Sequence, residues 1–146
     1  MKKTSDNLEN SLGYIIGRTS RAMANRFNQN IEKFGYDITC EQFAVLDTLS
    51  KKDGQTQKEL AGCTCKDKTS ITRLLDGMWK RKLIIRTHDK SDARKKLITL
   101  TDKGRMLRKK LVHQIEKTLV QAKRGISEAD LKVCKEVLLK VSGNLA

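Results

Sequence analysis

A chain of 146 residues is long enough for one compact domain with a real core and too short for two large ones. Its composition, 38% apolar and 33% charged with no proline, suits long helices joined by few sharp loops, and it holds no run of about 18 apolar residues that could span a membrane. The net charge of +14 points to a polyanionic partner, nucleic acid before an acidic membrane surface.

The opening MKKTSDNLENSLG lacks the continuous apolar stretch of a secretory signal. Cys40, Cys63, Cys65 and Cys134 show no framework spacing, so reduced thiols and a cytoplasmic location are expected. Leu8, Leu12, Ile15 and Ile16, then Met23, Phe27, Ile31 and Phe34, recur at steps of three and four and predict one long helix, ended by Gly35. Thr39 and Gln42 form a capping box before the apolar Phe43, Leu46 and Leu49 of a second helix, and Asp53-Gly54 marks a turn. Thr56 and Glu59 form another box, opening a short helix. Asp67 is placed to cap the next, whose apolar face is Ile71, Leu74, Leu75 and Met78, with Trp79 beside it as a packing residue. LIIRT and KLITL read as the strands of a hairpin. Thr101 then begins a helix carrying Leu107, Leu111, Ile115 and Leu119, and Ser127 caps a last one with Leu131, Cys134, Val137, Leu138 and Val141.

This order predicts a mostly α chain with one small β-hairpin: a single 146-residue domain with a winged helix-turn-helix over residues 37–101, flanked by helices over 1–36 and 102–146. The flanking helices carry more apolar surface than the winged module can cover. Leu8, Leu12, Ile15, Leu111, Ile115, Leu119, Val137, Leu138 and Val141 are therefore expected to pack between two copies of the chain.

Charge is concentrated where that module lies. Residues 66–110 hold sixteen Lys or Arg against five Asp, which is +11 of the +14. On a helical wheel, the polar side of the helix after Asp67 shows Lys68, Thr69, Ser70, Thr72 and Arg73, suited to phosphates and base edges in a major groove. Lys66, Arg86, Lys90, Lys95 and Lys96 are expected to meet phosphates. No nucleophile–base pair, paired carboxylates or phosphate-cradling glycine loop stands out, so neither an enzyme nor a cofactor is expected. Cys63-x-Cys65 falls short of the paired spacing of a zinc site, so no metal is expected. A thiol-redox role at Cys63 and Cys65 stays open, as does a non-specific architectural role on nucleic acid.

Three pieces, QTQKELA, DKTSITRLLD and DKSDARKKLITLTDKG, together resemble the MarR family of bacterial transcriptional regulators. The resemblance implies a homodimer on a pseudo-palindromic double-stranded operator, acting as a repressor relieved by a small molecule. It implies that the hairpin is a wing whose Asp92 and Arg94 reach the minor groove, where narrow A·T-rich DNA concentrates negative potential. It also implies an effector crevice between the dimerisation helices and the winged module, around Arg18, Phe27, Phe43 and Leu46. A crevice holding one cation would suit an aromatic or anionic ligand. The chain departs from the family pattern at Lys82, where glycine is common, and at Ala93, where a second Arg is frequent.

Overall fold

The computed structural model describes residues 8–64 and 67–146. A single 3-10 turn, Leu8–Asn10, precedes α1 (Leu12–Lys33). The first helix therefore starts four residues later than its apolar periodicity suggested, because the Ser11 side chain accepts from the Tyr14 N–H and caps it. Gly35, at φ 77°, closes α1 as expected. Next come α2 (Cys40–Lys51), α3 (Gln57–Thr64), α4 (Lys68–Lys80), β1 (Ile84–His88), β2 (Lys96–Leu100), α5 (Asp102–Lys123) and α6 (Glu128–Leu145). The caps at Thr39, Asp67, Thr101 and Ser127 all form, each accepting a backbone N–H three residues on.

The core is centred on α2, α4 and the hairpin. Phe27 and Ile31 of α1, Val45, Leu46 and Leu49 of α2, Leu60 of α3 and Ile71, Leu75 and Met78 of α4 are buried with Leu83, Ile84, Ile98 and Leu100 of the hairpin region. β1 and β2 pair antiparallel, from Ile84 opposite Leu100 to His88 opposite Lys96. Gln55 extends this sheet: it exchanges two backbone hydrogen bonds with Ile98, at 2.8 and 3.2 Å, while its side chain donates to the carbonyls of Thr48 and Lys52 and closes the end of α2.

Polar ties then lock α5 to the module. Asp53 accepts the Leu100 N–H at 3.0 Å and pairs with Arg105, and Asp47 takes both Arg108 and Lys51 at 2.7 Å. Between α1 and α5, the buried Asn30 amide donates to Thr118 Oγ1 at 2.9 Å and to Gln121 Oε1 at 3.0 Å. A buried amide of this kind favours one pairing of the two helices over others, because a slip would leave it unpaired.

Two expectations need correction. Leu111, expected between two copies, is instead fully buried in this protomer's own core, with Ile115 packed beside it. Trp79, expected to pack, is instead 52% exposed, because a 100° step from Met78 carries it off the buried stripe. By contrast α6 buries no residue in the protomer, and Leu12, Ile15, Leu119, Val137 and Leu138 are all exposed.

Candidate nucleic-acid interface

The exposed side of α4 forms an open trough of about 670 Å³ walled by Lys68, Thr69, Thr72, Arg73, Asp76 and Lys80. Its orientation follows from the sequence: Ile71, Leu75 and Met78 take the opposite side into the core. Lys68, Thr69, Ser70 and Arg73 are exposed, so their polar ends face outward. Thr72 is half-buried, and its hydroxyl donates to the Lys68 carbonyl and accepts from Gln57 Nε2. It stitches α3 to α4 as well as lining the trough. Among the described residues Asp76 is the one carboxylate on the wall, and Arg86 of β1 pairs with it at 2.6 Å. That pair holds the hairpin against α4 and leaves the trough's remaining charge positive.

At the hairpin tip, residues 90–96 are all exposed, which puts Lys90, Asp92, Arg94, Lys95 and Lys96 in solvent. Short carboxylates fold the tip. Asp89 accepts both the N–H and the hydroxyl of Ser91, at 2.8 and 2.7 Å, and these bonds, the backbone one first, hold its carboxyl below the usual range. Asp92 accepts the Arg94 N–H at 3.0 Å, and His88 Nδ1 lies 3.0 Å from the Ala93 carbonyl. The Arg94 backbone is thus fixed while its guanidinium extends outward. Lys66 and Cys65 lie outside the described residues, as does the side chain of Cys63, so the phosphate contact and the redox role expected there have no structural account.

The clasp between hairpin and α5 was not foreseen. Thr101 donates its N–H to the Leu83 carbonyl at 3.1 Å and its hydroxyl to the Lys82 carbonyl at 2.6 Å, while Lys103 Nζ reaches the Arg81 carbonyl at 3.0 Å. Lys82 sits at φ 58°, the only described non-glycine residue in the left-handed region. The departure noted at that position therefore has a conformational cost.

A second concavity, of about 900 Å³, opens between α1, α2, α5 and α6. Of the four residues expected around an effector, Phe27 lines it; Phe43 and Leu46 are buried in the core, and Arg18 is exposed elsewhere on α1. Ala44 and Cys40 of α2 and Thr118 of α5 complete its inner wall. Burial, and then the charge of Glu41, push the Cys40 thiol above its ordinary pKa and keep it neutral.

A profile of the MarR family matches residues 38–96, which run from the start of α2 through the wing. The organic hydroperoxide resistance transcriptional regulator of Bacillus subtilis is 30% identical over 131 residues, covering 90% of this chain and 86% of that protein. The chain belongs to the MarR family. The S. aureus MepR–DNA complex superposes with a TM-score of 0.81 at 28% identity, over 95% of this chain and 99% of MepR. Bordetella bronchiseptica BpsR, whose DNA binding is regulated by 6-hydroxynicotinic acid, superposes at 0.84 with 26% identity, over 92% of this chain and 95% of BpsR. As a MarR-family protein the chain is a DNA-binding transcriptional regulator of a dimeric, winged-helix kind, and its relatives are regulators rather than enzymes. None of its described helices is long and apolar enough to cross a membrane.

Proposed function

We propose that this chain is a cytoplasmic, homodimeric repressor that reads a pseudo-palindromic operator and lets go when a small molecule enters the cavity between α1, α2, α5 and α6. Residues 37–101 serve as the reading module, and the helices in 1–36 and 102–146 as the dimer scaffold. Lys68, Thr69, Ser70, Arg73 and the outer edge of Thr72 act in the major groove. Arg94 acts in the minor groove, with Lys90, Lys95 and Lys96 on phosphates and Asp92 shaping the tip. The observation that carries this reading is the shared exposure of one cationic trough on α4 and one cationic tip on the wing, tied to each other by Arg86 and Asp76. Such a tie makes the helix and wing one rigid reading unit.

The dimer follows from α6. An 18-residue helix with no fully buried residue in its own protomer leaves Val137 and Leu138 in water unless a second copy covers them. Leu8, Leu12, Ile15 and Leu119 are exposed too, Val141 is half-buried, and all belong to the same scaffold. Effector control follows from the cavity's position among these scaffold helices. A ligand there acts on recognition-helix spacing only insofar as it prefers the dimer form that does not fit DNA. The thiol-redox alternative names Cys63 and Cys65, whose side chains lie outside the described residues; on the cavity wall itself, burial holds the Cys40 thiol above its ordinary pKa and away from the reactive thiolate. The architectural alternative does not account for a complete wing.

Arg94→Ala tests the reading. It removes an exposed cation and no core contact, so helicity and melting should be unchanged. Operator affinity should fall by about 1–3 kcal/mol per wing, and more on A·T-rich than on G·C-rich flanks, because only the former offer a narrow groove. Unchanged affinity on both flanks in a fluorescence-anisotropy titration would refute the wing assignment.

A further inference from the structure

Thr72 lies in the trough on α4 with its hydroxyl already engaged. The oxygen sits 2.8 Å from the Lys68 carbonyl, one turn back, and also meets the Gln57 side chain of α3. A backbone carbonyl can only accept, so the single hydroxyl hydrogen goes to Lys68, and Gln57 must offer an Nε2 hydrogen rather than its oxygen. Thr72 therefore has no hydrogen left to donate. Phosphate oxygens, guanine O6 and N7, adenine N7 and thymine O4 all call for a donor. The same two bonds fix the direction of Oγ1, back along the helix and toward α3. Cβ carries one other heavy atom, and that methyl is what the residue adds to the wall of the trough.

The neighbouring side chains differ. Thr69 and Ser70 are exposed, and neither hydroxyl has a hydrogen-bond partner among the described residues, so both can still rotate and donate. Lys68, Arg73 and Lys80 bring cations, Asp76 is tied to Arg86, and Gly77 brings no side chain. Among the described lining residues, Thr72 thus holds the apolar group whose place is set beforehand.

We propose that Thr72 reads DNA through its methyl group, selecting a thymine by packing that methyl against the thymine C5-methyl in the major groove. The proposal rests on the reading role given to α4 above and names the base that one of its side chains takes. The C5-methyl is the apolar group that a base pair shows in that groove. A methyl held by two hydrogen bonds before DNA arrives gives up little freedom on meeting it. The lone pair that remains on Oγ1 shares the oxygen's retreat toward Lys68 and α3, so it is worse placed than the methyl for an adenine or cytosine amino group.

The test uses the full-length dimer and an operator that it selects from random duplex DNA. Each thymine of the selected half-site is replaced in turn by deoxyuridine, in both half-sites at once. Uracil pairs as thymine does and lacks the C5-methyl alone. Fluorescence anisotropy gives the ratio of affinities for the thymine and uracil forms within each protein, so any effect common to both DNAs cancels. At one thymine position the parent should lose about four-fold per half-site, the worth of one buried methyl. Thr72→Ser, which keeps the hydroxyl and drops the methyl, should abolish that difference. Thr72→Val, which keeps a methyl and drops the oxygen, should preserve it. A difference that survives in Thr72→Ser, or vanishes in Thr72→Val, overturns the inference. A selected operator that binds the parent equally well with uracil at every position also overturns it, while leaving the reading role of α4 in place. If selection enriches no sequence, that reading role falls first and this inference with it.

Discussion

Replacing Gly104 with alanine should damage the junction between wing and scaffold more than its small size suggests. Gly104 lies in the first turn of α5, where an added Cβ would stand 2.3 Å from the Leu83 carbonyl oxygen, 3.2 Å from the carbon and 3.3 Å from Leu100 Cδ2. The oxygen is backbone, so no rotamer change relieves the contact. It must retreat by about 0.7 Å merely to reach 3.0 Å, below which Cβ contacts are essentially never seen. That same oxygen accepts the Thr101 N–H at 3.1 Å, and its neighbour on Lys82 accepts the Thr101 hydroxyl at 2.6 Å. Overpacking costs about 1–3 kcal/mol, and each weakened hydrogen bond adds about 1 kcal/mol. A loss of about 2–4 kcal/mol corresponds to a melting temperature lower by roughly 5–15 °C for a chain of this size. Thermal unfolding followed by circular dichroism, at one fixed protomer concentration, measures it. Gly77→Ala in α4 is the control: nothing lies within 4 Å of its added Cβ, so helix propensity should raise stability by up to about 1 kcal/mol. A Gly104→Ala protein that melts with its parent would refute the close-approach argument.

Lys82→Gly should relieve the left-handed strain at φ 58° and raise the melting temperature by about 2–4 °C, part of the gain being offset by glycine's freedom in the unfolded chain; a lower melting temperature would mean that the Lys82 side chain contributes more than the strain costs. Burial opposes the charge of Asp47, but hydrogen bonds from Lys51 and Arg108 outweigh it and hold the carboxyl below its ordinary value. Its folded pKa being depressed, its contribution is fully present above the unfolded value, about 4, and is lost as pH falls through the folded one. Guanidinium unfolding of Asp47→Asn should accordingly show a shallower stability loss than the parent on acidification below about pH 4; parallel curves would count against the Arg108 tie. Val137→Glu places a charge on the exposed face of α6 and should weaken dimerisation by about 3 kcal/mol, roughly a hundredfold. Sedimentation velocity would show monomers with helicity retained, and an undiminished dimer would remove α6 from the interface.

Local signals carried most of the architecture. Caps at Thr39, Asp67, Thr101 and Ser127 act over three residues, and the stripe Ile71–Leu75–Met78 repeats with the helical period, so both are legible without knowing the fold. The positive tip at Lys90–Lys96 was legible for the same reason: a loop's charge does not depend on what packs beneath it. Only the tertiary structure could decide which apolar residues face inward and which face a second copy. Leu111 and Leu119 stand on one helix with the same chemistry, yet one is fully buried and the other 40% exposed, because α1, α2 and the hairpin end where they do. Tertiary structure also decided the long-range polar ties, Asp53 to Arg105 and Asn30 to Thr118, which join residues 52 and 88 positions apart and leave no periodic trace. Whether Thr64 and Thr118 offer a hydrogen or a lone pair depends on the carbonyl each already meets, and whether Arg18 reaches the cavity wall depends on the direction of α1. Composition records neither of these.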